Sequence, residues 1–152
     1  MNQLLDLFAW CLAGVLCFMS GMELASGQDT GRPRVIDGDT FEIAGEKIRI
    51  RGVDTPEMKS KSEVERRAAQ AAKEELERLL GTGYSINRLG RDKYGRTVGD
   101  VYNRNGEIAE QLIEAGKGKA YLYKLPKAKA EKLLEAQRRA QSKGIGIWEE
   151  TR

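Results

Sequence analysis

Val35-Ile36-Asp37-Gly38-Asp39-Thr40-Phe41-Glu42-Ile43, followed by Ala44-Gly45-Glu46 and then Lys47-Ile48-Arg49-Ile50-Arg51-Gly52-Val53, is the stretch that decides the fold. Two runs rich in β-branched residues flank a short turn containing glycine, which reads as a β-hairpin. Period two places Arg49 and Arg51 on the face opposite Ile48 and Ile50. Downstream, Ser62 to Leu80 reads as a helix: Ser62 and Glu65 make a capping box, and Gly81 ends it. Val64, Ala68, Ala71, Ala72, Leu76, Leu79 and Leu80 recur at helical spacing and predict its inward face. Tyr84 to Leu89 and Thr97 to Tyr102 read as further strands, with a turn at Asn105-Gly106. Glu107 to Ala115 is a short helix with Ile108, Leu112 and Ile113 on one side. Pro126 opens a last helix whose face is Ala130, Leu133, Leu134 and Ala140, and Gly144 caps it. Strands in the first two thirds with interleaved helices predict a small α+β domain built on a barrel.

Composition narrows the chemistry. The chain has 152 residues, 26 Lys+Arg against 23 Asp+Glu, no histidine, and two cysteines at Cys11 and Cys17. A Ser-His-Asp triad, a Cys-His pair and an imidazole proton shuttle are therefore excluded. A zinc site past residue 17 has neither His nor Cys to build it. Catalysis must use carboxylates, Arg, Lys, Tyr or an oxygen-bound metal. Phe8 to Met22 is an apolar run too short for the ~20 residues of a membrane span. With Ala25-Ser26-Gly27 behind it, residues 1–27 read as an export signal, a retained membrane anchor being the alternative. Residues 28–33 read as a linker and 34–150 as the folded domain. Without residues 1–27, which hold Asp6 and Glu23 but no base, the charge rises from +3 to +5. That excess favours a polyanion at modest strength.

Three segments carry candidate chemistry. In strict alternation Asp37 and Asp39 would face the core with Val35 and Phe41, which is costly for carboxylates lacking a cation or donor. Gly38 permits a bulge that re-aims one of them, though Asp-Gly-Asp also makes an ordinary turn. Arg49, Arg51, Asp54, Thr55, Pro56 and Glu57 make either a solvated strand face with a capped exit or an arginine beside acids at a barrel rim. Asp92-Lys93-Tyr94-Gly95-Arg96 packs two bases and an aromatic around a glycine.

In order and spacing, these three segments together resemble the staphylococcal (micrococcal) nuclease, or thermonuclease, family. The resemblance extends from about Val35 to Trp148 and includes Ala120-Tyr121-Leu122-Tyr123-Lys124 and Gly146-Ile147-Trp148. It implies a five-stranded OB-type β-barrel with three α-helices. It further implies that Asp39, Asp54 and the Thr55 carbonyl bind Ca2+, an oxygen-only ligand set of the kind a hard cation prefers. Glu57 matches the residue that orients or deprotonates the attacking water, and Arg49 and Arg96 match two arginines on the scissile phosphate. Lys93 and Tyr94 match contacts to a terminal phosphate, and Tyr121 and Tyr123 match tyrosines lining a nucleotide pocket. Asp37 matches an acid behind the metal ligands. The implied activity is an exported, monomeric, calcium-dependent phosphodiesterase. It would cleave DNA and RNA with low sequence specificity and leave 3′-phosphate and 5′-hydroxyl ends.

Two positions depart from the family pattern. Only Met58 to Lys61 separate Glu57 from the capped helix, where staphylococcal nuclease has a longer loop. Arg51 replaces a usual aliphatic residue and either adds a phosphate contact or pairs with an acid. The rival reading is a non-catalytic OB module that binds nucleic acid or protein. It is disfavoured by the joint retention of Asp39, Arg49, Asp54, Glu57 and Arg96.

Overall fold

The computed structural model describes residues 31–151; the export segment 1–27 and the first half of the linker lie outside the described residues. The strands are β1 Arg34–Asp37, β2 Thr40–Ile43, β3 Glu46–Ile50, β4 Val53–Asp54, β5 Ser85–Arg91, β6 Thr97–Asn103, β7 Gly106–Glu107 and β8 Lys119–Ala120. The helices are α1 Glu63–Leu80, α2 Ile108–Glu114 and α3 Lys127–Lys143, followed by a 3₁₀ turn at Gly146–Thr151. The main sheet runs β1-β2-β3-β6-β5 with β7 on β6, and β4 pairs β8 separately. All these ladders are antiparallel except β3 with β6, which is parallel. This is the expected α+β, OB-type architecture. Among the described residues no ladder joins β1 to β5, so hydrogen bonding leaves the sheet open rather than closing a barrel.

The strand expected over 35–43 is two strands. It reverses at Gly38-Asp39, with Asp37 opposite Thr40 and a bulge between Val35 and Asp37. Reversal resolves the conflict of two carboxylates on a core-facing alternation. Gly38 is required here by contact: a Cβ on it would stand 2.5 Å from the Ala72 Cβ and 3.1 Å from the Thr55 Cβ. The turn thus lies flat against α1. The β2–β3 hairpin forms as expected through Ala44 and Gly45, whose φ of 49° and 80° suit a tight hairpin turn.

Phe41, Ile43, Ile48, Ile50 and Val53 point inward and meet Leu76, Leu79 and Leu80 of α1, Ile108, Leu112 and Ile113 of α2, and Leu133 of α3. Helix α1 departs from its expected face at one end. Ala69 is buried, whereas Ala68 and Ala71 are half-buried and Val64 is 56% exposed. Its first turns run past the core, so only Ala69, Ala72, Leu76, Leu79 and Leu80 are covered. The capping box is half-formed: the Glu65 amide donates to Ser62 Oγ at 3.4 Å, but the Glu65 carboxylate accepts from the Ser60 hydroxyl instead of the Ser62 amide. On α3, Ala136 is buried and Ala130 and Leu134 are only half-buried, a small rotation of the expected face.

Arg51 pairs with an acid. Its Nε and Nη2 donate to both oxygens of Asp100 at 2.9 and 2.7 Å, and Lys129 Nζ reaches Asp100 Oδ1 at 2.5 Å. Lys129 also contacts Glu107, so four charges close over the β6 side of the core. Asp100 is 4% exposed. Burial pushes its carboxyl upward, but the hydrogen bonds and charges of Arg51 and Lys129 prevail and hold it below the ordinary carboxylate range.

Candidate active site

The tight turn, β3 and β4 bring four of the expected residues into direct contact. Asp39, only 7% exposed, accepts from the Thr40 hydroxyl at 2.9 Å and from the Thr55 amide and hydroxyl at 3.1 and 3.2 Å. Arg49 Nη2 lies 3.2 Å from Asp39 Oδ2 and 3.2 Å from Asp54 Oδ1. Its Nη1 donates to the carbonyls of Ile50 and Val53, at 2.7 Å each. Asp39 is therefore built into the turn, while the Asp54 carboxylate is open to solvent. Two carboxylates converge on one cationic nitrogen. Such a pair needs a positive charge between its members, and its oxygen donors suit a hard cation. Here Arg49 supplies that charge, and the oxygen donors of Asp39, Asp54 and the Thr55 carbonyl are of the type a hard metal ion takes. In this arrangement the guanidinium faces the carboxylates and strand carbonyls, not an open phosphate position.

Glu57 is exposed and lines the same cleft of about 990 Å³ as Asp54 and Thr55, between the start of α1 and the segments after α2 and α3. Among the described residues no hydrogen bond or ion pair joins it to Arg49. The shortened segment after it forms a compact turn, with the Ser60 amide donating to the Glu57 carbonyl at 3.2 Å.

Arg96 stands apart. β3 and β6 pair Arg49 with Val98 and Ile48 with Thr97, so Arg96 lies one step beyond the ladder, on the parity of Val98. Its Nε donates to Asp92 Oδ2 at 2.7 Å and its amide to Asp92 Oδ1 at 3.0 Å. Among the described residues its two Nη groups have no partner, which leaves them available for an anion. Burial raises the Asp92 carboxyl, but the hydrogen bonds from Arg96 and Tyr94 outweigh it and the acid stays depressed and charged. Tyr94 is strongly exposed, with Lys93 Nζ 5.0 Å and the Arg96 guanidinium 5.4 Å from its ring centre. Asp92, the first residue of this segment, anchors the whole turn by accepting from the Tyr94 and Arg96 amides and from Arg96 Nε, a role signalled by an acid four residues before an arginine.

Tyr121 and Tyr123 are exposed, with ring centres 6.2 Å apart. The Tyr121 amide donates to the Gly52 carbonyl at 3.0 Å, which ties the pair to the loop between Arg49 and Asp54. Trp148 is half-buried and lines the cleft, with Lys119 Nζ 5.7 Å from its ring centre.

An OB-type α+β fold with an Asp–Arg–Asp cluster at a tight turn defines a class, and comparison with known proteins agrees. The family model described as staphylococcal nuclease homologue matches residues 47–150, and the chain belongs to that family. The match begins beyond Asp39, in the strand that carries Arg49. The succinoglycan biosynthesis protein ExoI of Rhizobium meliloti is 36% identical over 127 residues, 78% of this chain and 63% of that protein. The thermonuclease of Staphylococcus intermedius is 36% identical over 124 residues, 76% of this chain and 73% of that protein. An uncharacterized endonuclease of Haemophilus influenzae is 31% identical over 121 residues, with 76% and 63% covered. The chain spans less than two thirds of the first and third of these relatives.

Proposed function

We propose that this chain is a metal-dependent nuclease, an exported phosphodiesterase that takes DNA and RNA with little sequence selectivity and uses calcium. The observation that carries the reading is the convergence of Asp39 and Asp54 on Arg49, with Glu57 on the adjoining cleft. A cation held by those oxygens supplies positive charge at the scissile phosphate. Glu57 positions a water for in-line attack on phosphorus and accepts its proton. Arg96, whose Nη groups are open, donates to the phosphoryl oxygens, whose negative charge grows during attack, and Arg49 would join it once a bound cation takes Asp39 and Asp54 from it. Tyr121 and Tyr123 offer a wall for the nucleoside, and Lys93 with Tyr94 a contact for a flanking phosphate. Cleavage of the 5′ P–O bond leaves 3′-phosphate and 5′-hydroxyl ends.

The test is digestion of plasmid DNA and of RNA by the purified chain. Calcium is expected to support cleavage and EGTA to abolish it. Magnesium, which demands near-ideal octahedral geometry and dehydrates reluctantly, is expected to substitute poorly. Full activity in EGTA without added metal overturns the metal assignment, and absence of cleavage under every condition favours the non-catalytic binding module.

A further inference from the structure

We propose that the α1 side of the cleft is a second nucleic-acid subsite, which takes an unpaired stretch of the strand where it continues past the scissile phosphate. The inference rests on the nuclease reading. The cleft, about 990 Å³, is at the upper end of the ~300–1,000 Å³ usual for ligand pockets, far more than one phosphate and one water require.

Its surface is divided by chemistry. Val64, Ala68 and Ala71 on α1 face Ile147 and Trp148 across it, an apolar floor and wall. Lys59, Lys117 and Lys119 line the same cleft. Among the described residues none of these three has a carboxylate partner, and Lys119 lies over the Trp148 ring at 5.7 Å. The cleft's own acids are Asp54 and Glu57, which belong to the reaction site, Glu65, which holds the Ser60 hydroxyl, and Glu149. Arg67 is spoken for by Glu63.

Position links this surface to the reaction. β4 and β8 place Lys119 directly opposite Asp54, and the same chain leads on to Tyr121 and Tyr123. A strand crossing the Asp39–Arg49–Asp54 cluster from the tyrosines therefore meets Lys119 and Lys117 next. The far wall is firmly built. Ile147 donates its amide to the Gly116 carbonyl at 2.9 Å, and a Cβ on Gly146 would stand 2.1 Å from that same oxygen, so the two segments touch backbone to backbone. An apolar floor under a lysine rim matches a single strand, with bases turned in and phosphates out. A duplex hides its base faces and cannot use the floor.

The experiment uses the full chain in EGTA, so that binding is read without turnover, and a fluorescent single strand of about twelve nucleotides. For Lys117→Gln/Lys119→Gln, Kd is expected to rise about tenfold, and the slope of log Kd against log salt to fall by about 1.4 for two lost phosphate contacts. Val64→Glu, which puts a charge on the apolar floor without touching a lysine, is expected to weaken the same complex. Both losses should be smaller for a duplex of the same sequence. Unchanged affinity and salt slope in the lysine variant, or equal losses for single strand and duplex, overturn the proposal. Turnover of the same strand by wild type in calcium is the separate readout for the nuclease reading: its failure overturns that reading while the binding comparison still decides the cleft.

Discussion

Arg49→Lys is expected to lower kcat by about 10²–10³, equivalent to ~3–4 kcal/mol, the usual cost of a donor that acts mainly in the transition state. The substitution is conservative in charge only. Arg49 uses one terminal nitrogen on the Ile50 and Val53 carbonyls and the other on Asp39 and Asp54, a planar fork that an ammonium cannot reproduce. Arg96→Lys is expected to fail for a related reason. The Nε–Asp92 bond that aims its free Nη groups would be lost. In both variants kcat should fall far more than substrate affinity, because the charge being opposed grows during attack. Steady-state kinetics, with thermal melts to confirm folding, make the measurement. Near-normal kcat would remove these residues from the mechanism.

Asp100→Ala is expected to destabilise the fold by about 3–5 kcal/mol, the range for removing one member of a buried charge pair. Arg51 would lose both hydrogen-bond acceptors, and Lys129 would keep only Glu107. The sign of the pH dependence follows from the depressed carboxyl. Its contribution is present above its unfolded pKa of about 3.9 and is lost as pH falls through the lower folded value. Urea unfolding of wild type should therefore show stability dropping through the acid range, on a limb that Asp100→Ala flattens. A variant as stable as wild type at neutral pH would show that the network contributes nothing net.

Much of this was legible in the residues. Alternation placed Arg49 and Arg51 away from Ile48 and Ile50, and the spacing of aliphatic residues located all three helices. Three things were not legible, each for a tertiary reason. The reversal at Gly38 stood open beside a bulge as one of two readings, because the close approach of Ala72 that requires glycine there comes from a residue distant in sequence. The exposure of Val64 depends on how far α1 runs beyond the sheet, and periodicity reports a face, not the extent of what covers it. The partner of Arg51 lies 49 residues away on β6, so local pattern left phosphate and acid equally open.

The contact between Gly38 and α1 also has a dynamic consequence. The turn that presents Asp39 rests on Ala72, and Asp39 in turn holds the Thr55 amide. Opening of the helix therefore releases the turn, the acid and the β4 exit together, as one cooperative unit. Amide hydrogen exchange should report the same opening free energy at Thr55 as along the middle of α1. Because the first turns of that helix also floor the cleft, thermal fraying that reaches Ala72 should switch off the whole site at once, and the protein should not pass through a half-competent state.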